Sequence, residues 1–145
     1  MTDADGPKHS VSVSAVVTND AGQILVIRRA DNGHWEPPGG VLEREESITD
    51  GLLREVEEET GLVVKAEALT GVYKNVPRAI VALVFRCRVA EGHPRGTREA
   101  LECRWLTVEE AVSRMTPAYA TRVRDALEAG PPRVRPHDGE QLLPR

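Results

Sequence analysis

The sequence predicts a layered α/β domain, and three observations carry that expectation. Extended apolar stretches and amphipathic helical stretches are interspersed along 145 residues, the pattern of a sheet with helices packed on it. A chain of that length suits one domain with a real core. The hydrophobic share is 40%, yet it holds two Trp, two Tyr and one Phe, so the core must be built mostly of Val, Leu, Ile and Ala.

Taken in order, residues 11–17 are strand-like, Asn19, Asp20, Ala21 and Gly22 form a turn, and Ile24–Arg29 is a second strand, together resembling a hairpin. A loop through Asp31, Asn32 and Gly33 follows. Trp35-Glu36-Pro37-Pro38-Gly39-Gly40 reads as a rigid turn, since proline fixes φ and glycine permits conformations closed to other residues. Ser47, with Asp50 three residues on, resembles a capping box, so a helix is expected from near Ile48 to a left-handed stop at Gly61. Residues 63–65 are a short extended piece, and 69–74 and 79–89 pair across the turn at 75–78. A loop at 91–98 leads to a strand at 101–106. Thr107 caps a helix to about Met115, and Pro117 breaks it before a second helix at 118–129. Residues 1–130 therefore form the domain. From 131 to 145 the chain is proline-rich and without periodicity, which predicts a mobile or loosely docked tail.

Composition narrows function mainly by exclusion. The net charge of −4 and pI near 5.6 argue against a general electrostatic hold on nucleic acid or an anionic membrane. The polar start MTDADGPKHS and the lack of a long apolar run predict neither signal peptide nor membrane span, so a cytoplasmic location is expected. Cys87 and Cys103 show no CxxC spacing, and the four His no paired-ligand pattern. Neither a disulfide framework nor a zinc site is predicted.

The helical stretch 48–60 is unusual because Glu55-Val56-Glu57-Glu58-Glu59 packs four carboxylates into five residues. At about 100° per residue, Ile48, Leu52, Val56 and Leu53 share an apolar sector, and Glu55, Glu58 and Glu59 gather on one flank. Glu59 falls inside the apolar stripe. Like charges one turn apart destabilise a helix, and a carboxylate facing a core costs far more unless paired. A divalent cation would relieve both, since Mg²⁺ is usually held by a few carboxylates, water and substrate phosphate. Arg54 lies beside Glu55 and one turn before Glu58, within reach to orient a carboxylate. A solvated acidic face is the plain alternative.

Spacing decides between them. Gly40, five residues, Glu46, seven residues, then Arg54-Glu55-Val56-Glu57-Glu58-Glu59-Thr60-Gly61-Leu62 resembles, at every fixed position, the Nudix hydrolase signature GX5EX7REUXEEXGU, with U aliphatic. The resemblance implies the Nudix α/β/α sandwich with a mixed β-sheet. It also implies an Mg²⁺-dependent (or Mn²⁺-dependent) pyrophosphohydrolase that cleaves a nucleoside diphosphate linked to another moiety. On that basis Glu55, Glu58 and Glu59 match the metal-binding carboxylates, and Glu46 matches an earlier box glutamate that ligates metal through water or braces the loop. Gly39 and Gly40 would let backbone approach metal or phosphate, unless they form only a tight turn.

For the general base, the resemblance offers Glu99, six residues before Trp105, with Glu102 and the box residue Glu58 as competitors. Arg54 completes the catalytic set. Arg28, among several basic residues including Arg29, Lys74, Arg78, Arg86 and Arg88, is a candidate for phosphate, and Trp35 for stacking on a base or packing beneath the turn. The short chain favours a small MutT-like nucleotide hydrolase. Pro77, fifteen residues after Leu62, keeps ADP-ribose or a nucleotide sugar as the alternative substrate. A non-catalytic nucleotide-binding module and an RNA-end processing enzyme are the readings from other classes. Dimers are common in the family, so the resemblance allows a homodimer.

Overall fold

The computed structural model describes residues 6–96 and 100–145. Its strands are β1 (Ser10–Thr18), β2 (Ile24–Arg29), β3 (Trp35–Glu36), β4 (Gly39–Val41), β5 (Val63–Asn75), β6 (Ile80–Glu91), β7 (Ala100–Leu106) and β8 (Arg133–His137). The helices are α1 (Ile48–Thr60), α2 (Val108–Ser113) and α3 (Pro117–Leu127). The strands form one mixed sheet in the order β3-β2-β1-β6-β5-β8, with β4 paired to β1 and β7 to β2. β1 runs parallel to β6 from Ser10↔Ile80 to Thr18↔Arg88, while β5 and β6 are antiparallel.

Alternation along β1 divides the core, because successive side chains of a strand point to opposite faces. Val13, Ala15 and Val17 pack on one face with Leu52 and Val56 of α1. Val16 faces the other way, towards Ala111, Val112, Ala120, Val123 and Ala126 of α2 and α3. The result is the expected α/β/α sandwich. Leu52 and Val56 are fully buried, each contributing about 1.5–3 kcal/mol, and they hold α1 against the sheet. Ile48, expected in the same apolar sector, is 43% exposed at the first turn.

The C-terminal segment corrects an expectation. Arg133–His137 is a strand, parallel to β5 with Gly71↔Arg133 through Asn75↔His137 in register. Pro136 is tolerated because β8 lies at the end of the sheet order, where a missing N–H is least costly. Polar contacts anchor it. Arg135 makes a two-pronged pair with Asp125 of α3 at 2.8 and 2.9 Å, and His137 is 1% exposed. No apolar periodicity announces such a strand, since its hold on the body is ionic and main-chain. Among the described residues no helix is long and apolar enough to cross a membrane.

Candidate active site

Both ends of α1 are set locally. Ser47, in extended conformation, accepts the Asp50 N–H at 3.1 Å, and Gly61, at φ 78°, donates its N–H to the Glu57 carbonyl. Between them the helix turns Glu55 and Glu59 inward, where they are 8% and 3% exposed. Glu59 accepts the Gly39 N–H at 2.6 Å, which ties the helix to the short strand β4. Glu55 accepts from Arg54 Nη1 at 2.9 Å and lies flat against Gly40.

Three glycines make this closeness possible. A Cβ on Gly40 would fall 2.5 Å from Glu55 Cδ, and one on Gly39 would fall 2.6 Å from Ser14 Cβ and against the Val13 carbonyl. A Cβ on Gly51 would sit 2.8 Å from Glu46 Oε1. Gly51 costs α1 about 1 kcal/mol relative to Ala, and in return Glu46 and Leu42 can lie on the helix. Gly51 thus belongs to the site's packing.

Arg54 is the hub. Its Nε and Nη2 fork onto Glu46 at 2.8 and 2.6 Å, while Nη1 reaches Glu55 at 2.9 Å and Glu58 at 3.2 Å. Glu46 also accepts the Glu43 N–H at 2.9 Å. These contacts, the guanidinium foremost and then the amide, hold the Glu46 carboxyl down at about 2. The same pairing raises Arg54 above its ordinary range. Glu46 is therefore charged at any physiological pH and engaged by Arg54 and the Glu43 amide.

The three carboxylates of the helix flank, Glu55, Glu58 and Glu59, open onto two different recesses. Glu55 and Glu59 line a cavity of about 470 Å³ together with Arg29, Asp31, Gly39 and Gly40. Glu58 is 53% exposed and faces a groove beside Leu53, Glu57 and Arg95. Arg54 binds both Glu55 and Glu58, and among the described residues no three acidic, His or Cys side chains converge as a ready metal-ligand set. The donor chemistry nonetheless fits a hard cation: carboxylate oxygens on one helix flank, beside bare glycine backbone, open to a cavity.

Other candidates divide. Arg28 turns away from the cavity, donating to the Gly33 carbonyl at 3.3 Å and pairing with Glu102 at 3.6 Å across the β2–β7 register. Glu102 also pairs with Arg104 at 2.8 Å, so it is engaged on the sheet rather than at the cradle. Trp35 packs against the α2–α3 side of the core, with the Arg114 guanidinium 5.0 Å from its ring centroid, and lines no part of the carboxylate cavity. Glu99 lies outside the described residues. Arg29 takes the wall position expected of Arg28. It is held by Asp31 at 2.9 and 2.7 Å and Glu36 at 3.0 Å. The sequence carries no signal for which of the two adjacent arginines faces the site, and the β2–β7 register shifts between them.

A family model described as "NUDIX domain" matches residues 8–127. The chain belongs to the Nudix family. A "MutT-like protein" of Streptomyces ambofaciens is 54% identical over 138 residues, covering 95% of this chain and 90% of that protein. An "ADP-ribose pyrophosphatase" of Methanocaldococcus jannaschii is 32% identical over 104 residues, 67% of this chain and 61% of that one. Among solved structures, the MutT protein of Methanosarcina mazei superposes with a TM-score of 0.70 at 26% identity, covering 82% of this chain and 93% of that one. The chain is thus a Nudix pyrophosphohydrolase acting on a diphosphate-containing substrate, in a family that is typically Mg²⁺-dependent.

Proposed function

We propose that the chain hydrolyses a diphosphate bond in a nucleotide or modified nucleotide, with Mg²⁺ held by Glu55, Glu58 and Glu59. The supporting observation is the seating of Glu55 and Glu59 against Gly39 and Gly40, two buried carboxylates beside half-buried glycine main chain on the lining of one cavity. Bound metal would neutralise phosphate charge and orient the attacking water. The chain's own residues do the rest. Arg54 and Glu46 fix the carboxylates, Gly39 and Gly40 let phosphate approach the backbone, and Arg29 adds positive charge at the cavity wall. Glu58, more accessible than Glu46, Glu55 or Glu59, or Glu99 takes the proton from water, which requires hydrogen-bond reach to it.

The 54% identical relative is named only as MutT-like, and the 32% identical one, an ADP-ribose pyrophosphatase, supports ADP-ribose as the second reading. The full set of box glutamates speaks against a module that binds without cleaving. The net charge of −4 speaks against an extended RNA partner. The test is product release with Mg²⁺ from a panel of nucleoside triphosphates, oxidised nucleotides, ADP-ribose, nucleotide sugars and dinucleoside polyphosphates. Turnover that disappears in Glu58→Gln and Glu59→Gln is expected. An inert panel, or full activity in both variants, would overturn the proposal.

A further inference from the structure

The family-matched residues end at 127, and the segment beyond them is fastened to α3 along its whole length. Arg133, Arg135 and His137 share one face of β8, since alternate residues of a strand point the same way. Their contacts climb α3 in reverse. Arg133 Nη2 donates to the Ala129 carbonyl at 3.2 Å and to Glu128 at 3.1 Å, Arg135 holds Asp125, and His137 Nε2 lies 3.3 Å from Arg122 Nη2. Past the strand, the Glu140 carbonyl accepts the Ala118 N–H at 2.9 Å in the first turn of the helix. Two strand residues advance about 6.6 Å and one helical turn about 5.4 Å, so the two elements keep step, one contact per turn.

The apolar hold on α3 is small. Its buried apolar side chains are Ala118, Ala120, Val123 and Ala126, three alanines and one valine in 11 residues. Two other residues of the same helix, Tyr119 and Arg122, line a cavity of about 170 Å³ that shares Arg29, Gly39, Gly40 and Val41 with the carboxylate cavity. The placement of α3 therefore sets one wall of the space beside the carboxylates. Those acids ride on α1, which packs on the opposite face of the sheet.

His137 is the weakest of the contacts. It is 1% exposed, and its Nδ1 faces the Gly139 N–H at 2.9 Å. A neutral imidazole offers one acceptor nitrogen and a protonated one none, so the ring can accept from Arg122 only while it is neutral. Burial, then the Arg122 charge, push its pKa below the usual range and keep it neutral. The charged groups around it are Arg122 from α3 and its chain neighbour Asp138, whose Oδ1 accepts the Glu140 and Gln141 N–H groups at 2.9 and 2.8 Å. The Tyr119 ring of α3 lies 6.5 Å away, and β5 brings Asn75 into register. A proton on the ring would put a second buried cation beside Arg122, with Asp125 already committed to Tyr73 and Arg135.

We propose that residues 133–140 are a strap that positions α3, and with it the Tyr119 and Arg122 wall of the cavity, for substrate binding, with His137 as the positioning residue on which the hold on Arg122 depends. The inference rests on the proposed hydrolysis for its substrate but not for its geometry.

The test sets His137→Leu, which fills the space without an acceptor, against His137→Gln, which keeps one for Arg122. kcat and KM are measured with Mg²⁺ on the best panel substrate from about pH 8 to about pH 5.5, and amide exchange is followed at residues 118–126 and 48–60. At the upper end His137→Leu should raise KM about 10- to 100-fold with kcat held within about twofold, and His137→Gln should rescue most of that loss. In His137→Leu the amides of α3 should exchange faster and those of α1 should not. Below about pH 6.5, KM should climb in the unaltered protein and stay level in His137→Gln. A fall in kcat with KM unchanged would mark a merely structural role and overturn the proposal. So would unchanged exchange at α3 in His137→Leu, or an acid rise in KM as steep in His137→Gln as in the unaltered protein. If no panel substrate is turned over, the proposed hydrolysis fails, and exchange at α3 by itself decides the strap. The unaltered protein and His137→Gln, compared across pH, decide the point even if His137→Leu does not fold.

Discussion

Adjacent glycines at the cradle should respond to the same substitution in opposite ways. A methyl on Gly40 would meet Glu55 Cδ at 2.5 Å, and a methyl on Gly39 would meet the Val13 carbonyl and Ser14 Cβ at 2.6 Å. The first obstacle is the tip of a flexible side chain, which can swing aside. The second is the backbone of a central strand, which cannot. Gly40→Ala should therefore cost less stability than Gly39→Ala while displacing the Glu55 carboxylate from Arg54 by roughly 1 Å, a misplacement that can cost about 100-fold in rate. Gly39→Ala forces overpacking against β1, and about 1–3 kcal/mol of lost stability is expected, a fall in melting temperature of roughly 3–12 °C for a domain of this size. It also disturbs the amide that Glu59 accepts. Thermal melts followed by circular dichroism, with kcat/KM on the best panel substrate, read both quantities. A Gly40→Ala protein with unaltered kcat/KM would refute the claim that the Glu55 position matters. Equal destabilisation by both would refute the distinction between soft and hard neighbours.

Three further outcomes follow from the same contacts. Glu59→Gln keeps an acceptor for the Gly39 N–H, so the fold should melt within a few degrees of the parent while Mg²⁺-dependent turnover and Mg²⁺ uptake by calorimetry fall; unchanged uptake would remove Glu59 from the metal set. Asp125→Ala strips the acceptor from Tyr73 (2.8 Å) and Arg135 (2.8 and 2.9 Å). Because Arg135 is 36% exposed and water can recover part of the loss, about 2–4 kcal/mol of destabilisation is expected in urea melts, with release of β8 visible as amide exchange at residues 133–137. His137, driven below 6.5 by burial and Arg122, should titrate below that value by NMR. Between its native value and 6.5 the unfolded chain holds a proton the native one does not, so stability should decline as pH falls through that window and level off above it; a His137 pKa at or above 6.5 would contradict the neutral assignment.

Where the chain itself carried the information, the carriers were local. Ser47 and Gly61 mark the ends of α1 with groups that act on their own neighbours, and the observed helix, Ile48–Thr60, stands between them. The Nudix spacing announced the carboxylate flank for the same reason, since residues three and four apart on a helix share a side. Two misplacements have a common cause. Residues 131–145 read as a tail because the hold on β8 comes from Asp125 and the β5 main chain, neither of them within its own stretch. Between the neighbours Arg28 and Arg29 nothing local says which faces inward; the pairing of β2 with β7, irregular between the two, decides it.

The sequence by itself determined the family, the reaction class and the helix that presents Glu55, Glu58 and Glu59, because each depends on spacing within a short stretch. Tertiary structure decided which of those acids enter the cavity, which arginine lines it, and that Arg122 of α3 and His137 of β8 come within 3.3 Å of each other. Such encounters depend on how the sheet orders its strands, and burial then fixes the energetic cost of every unmatched donor.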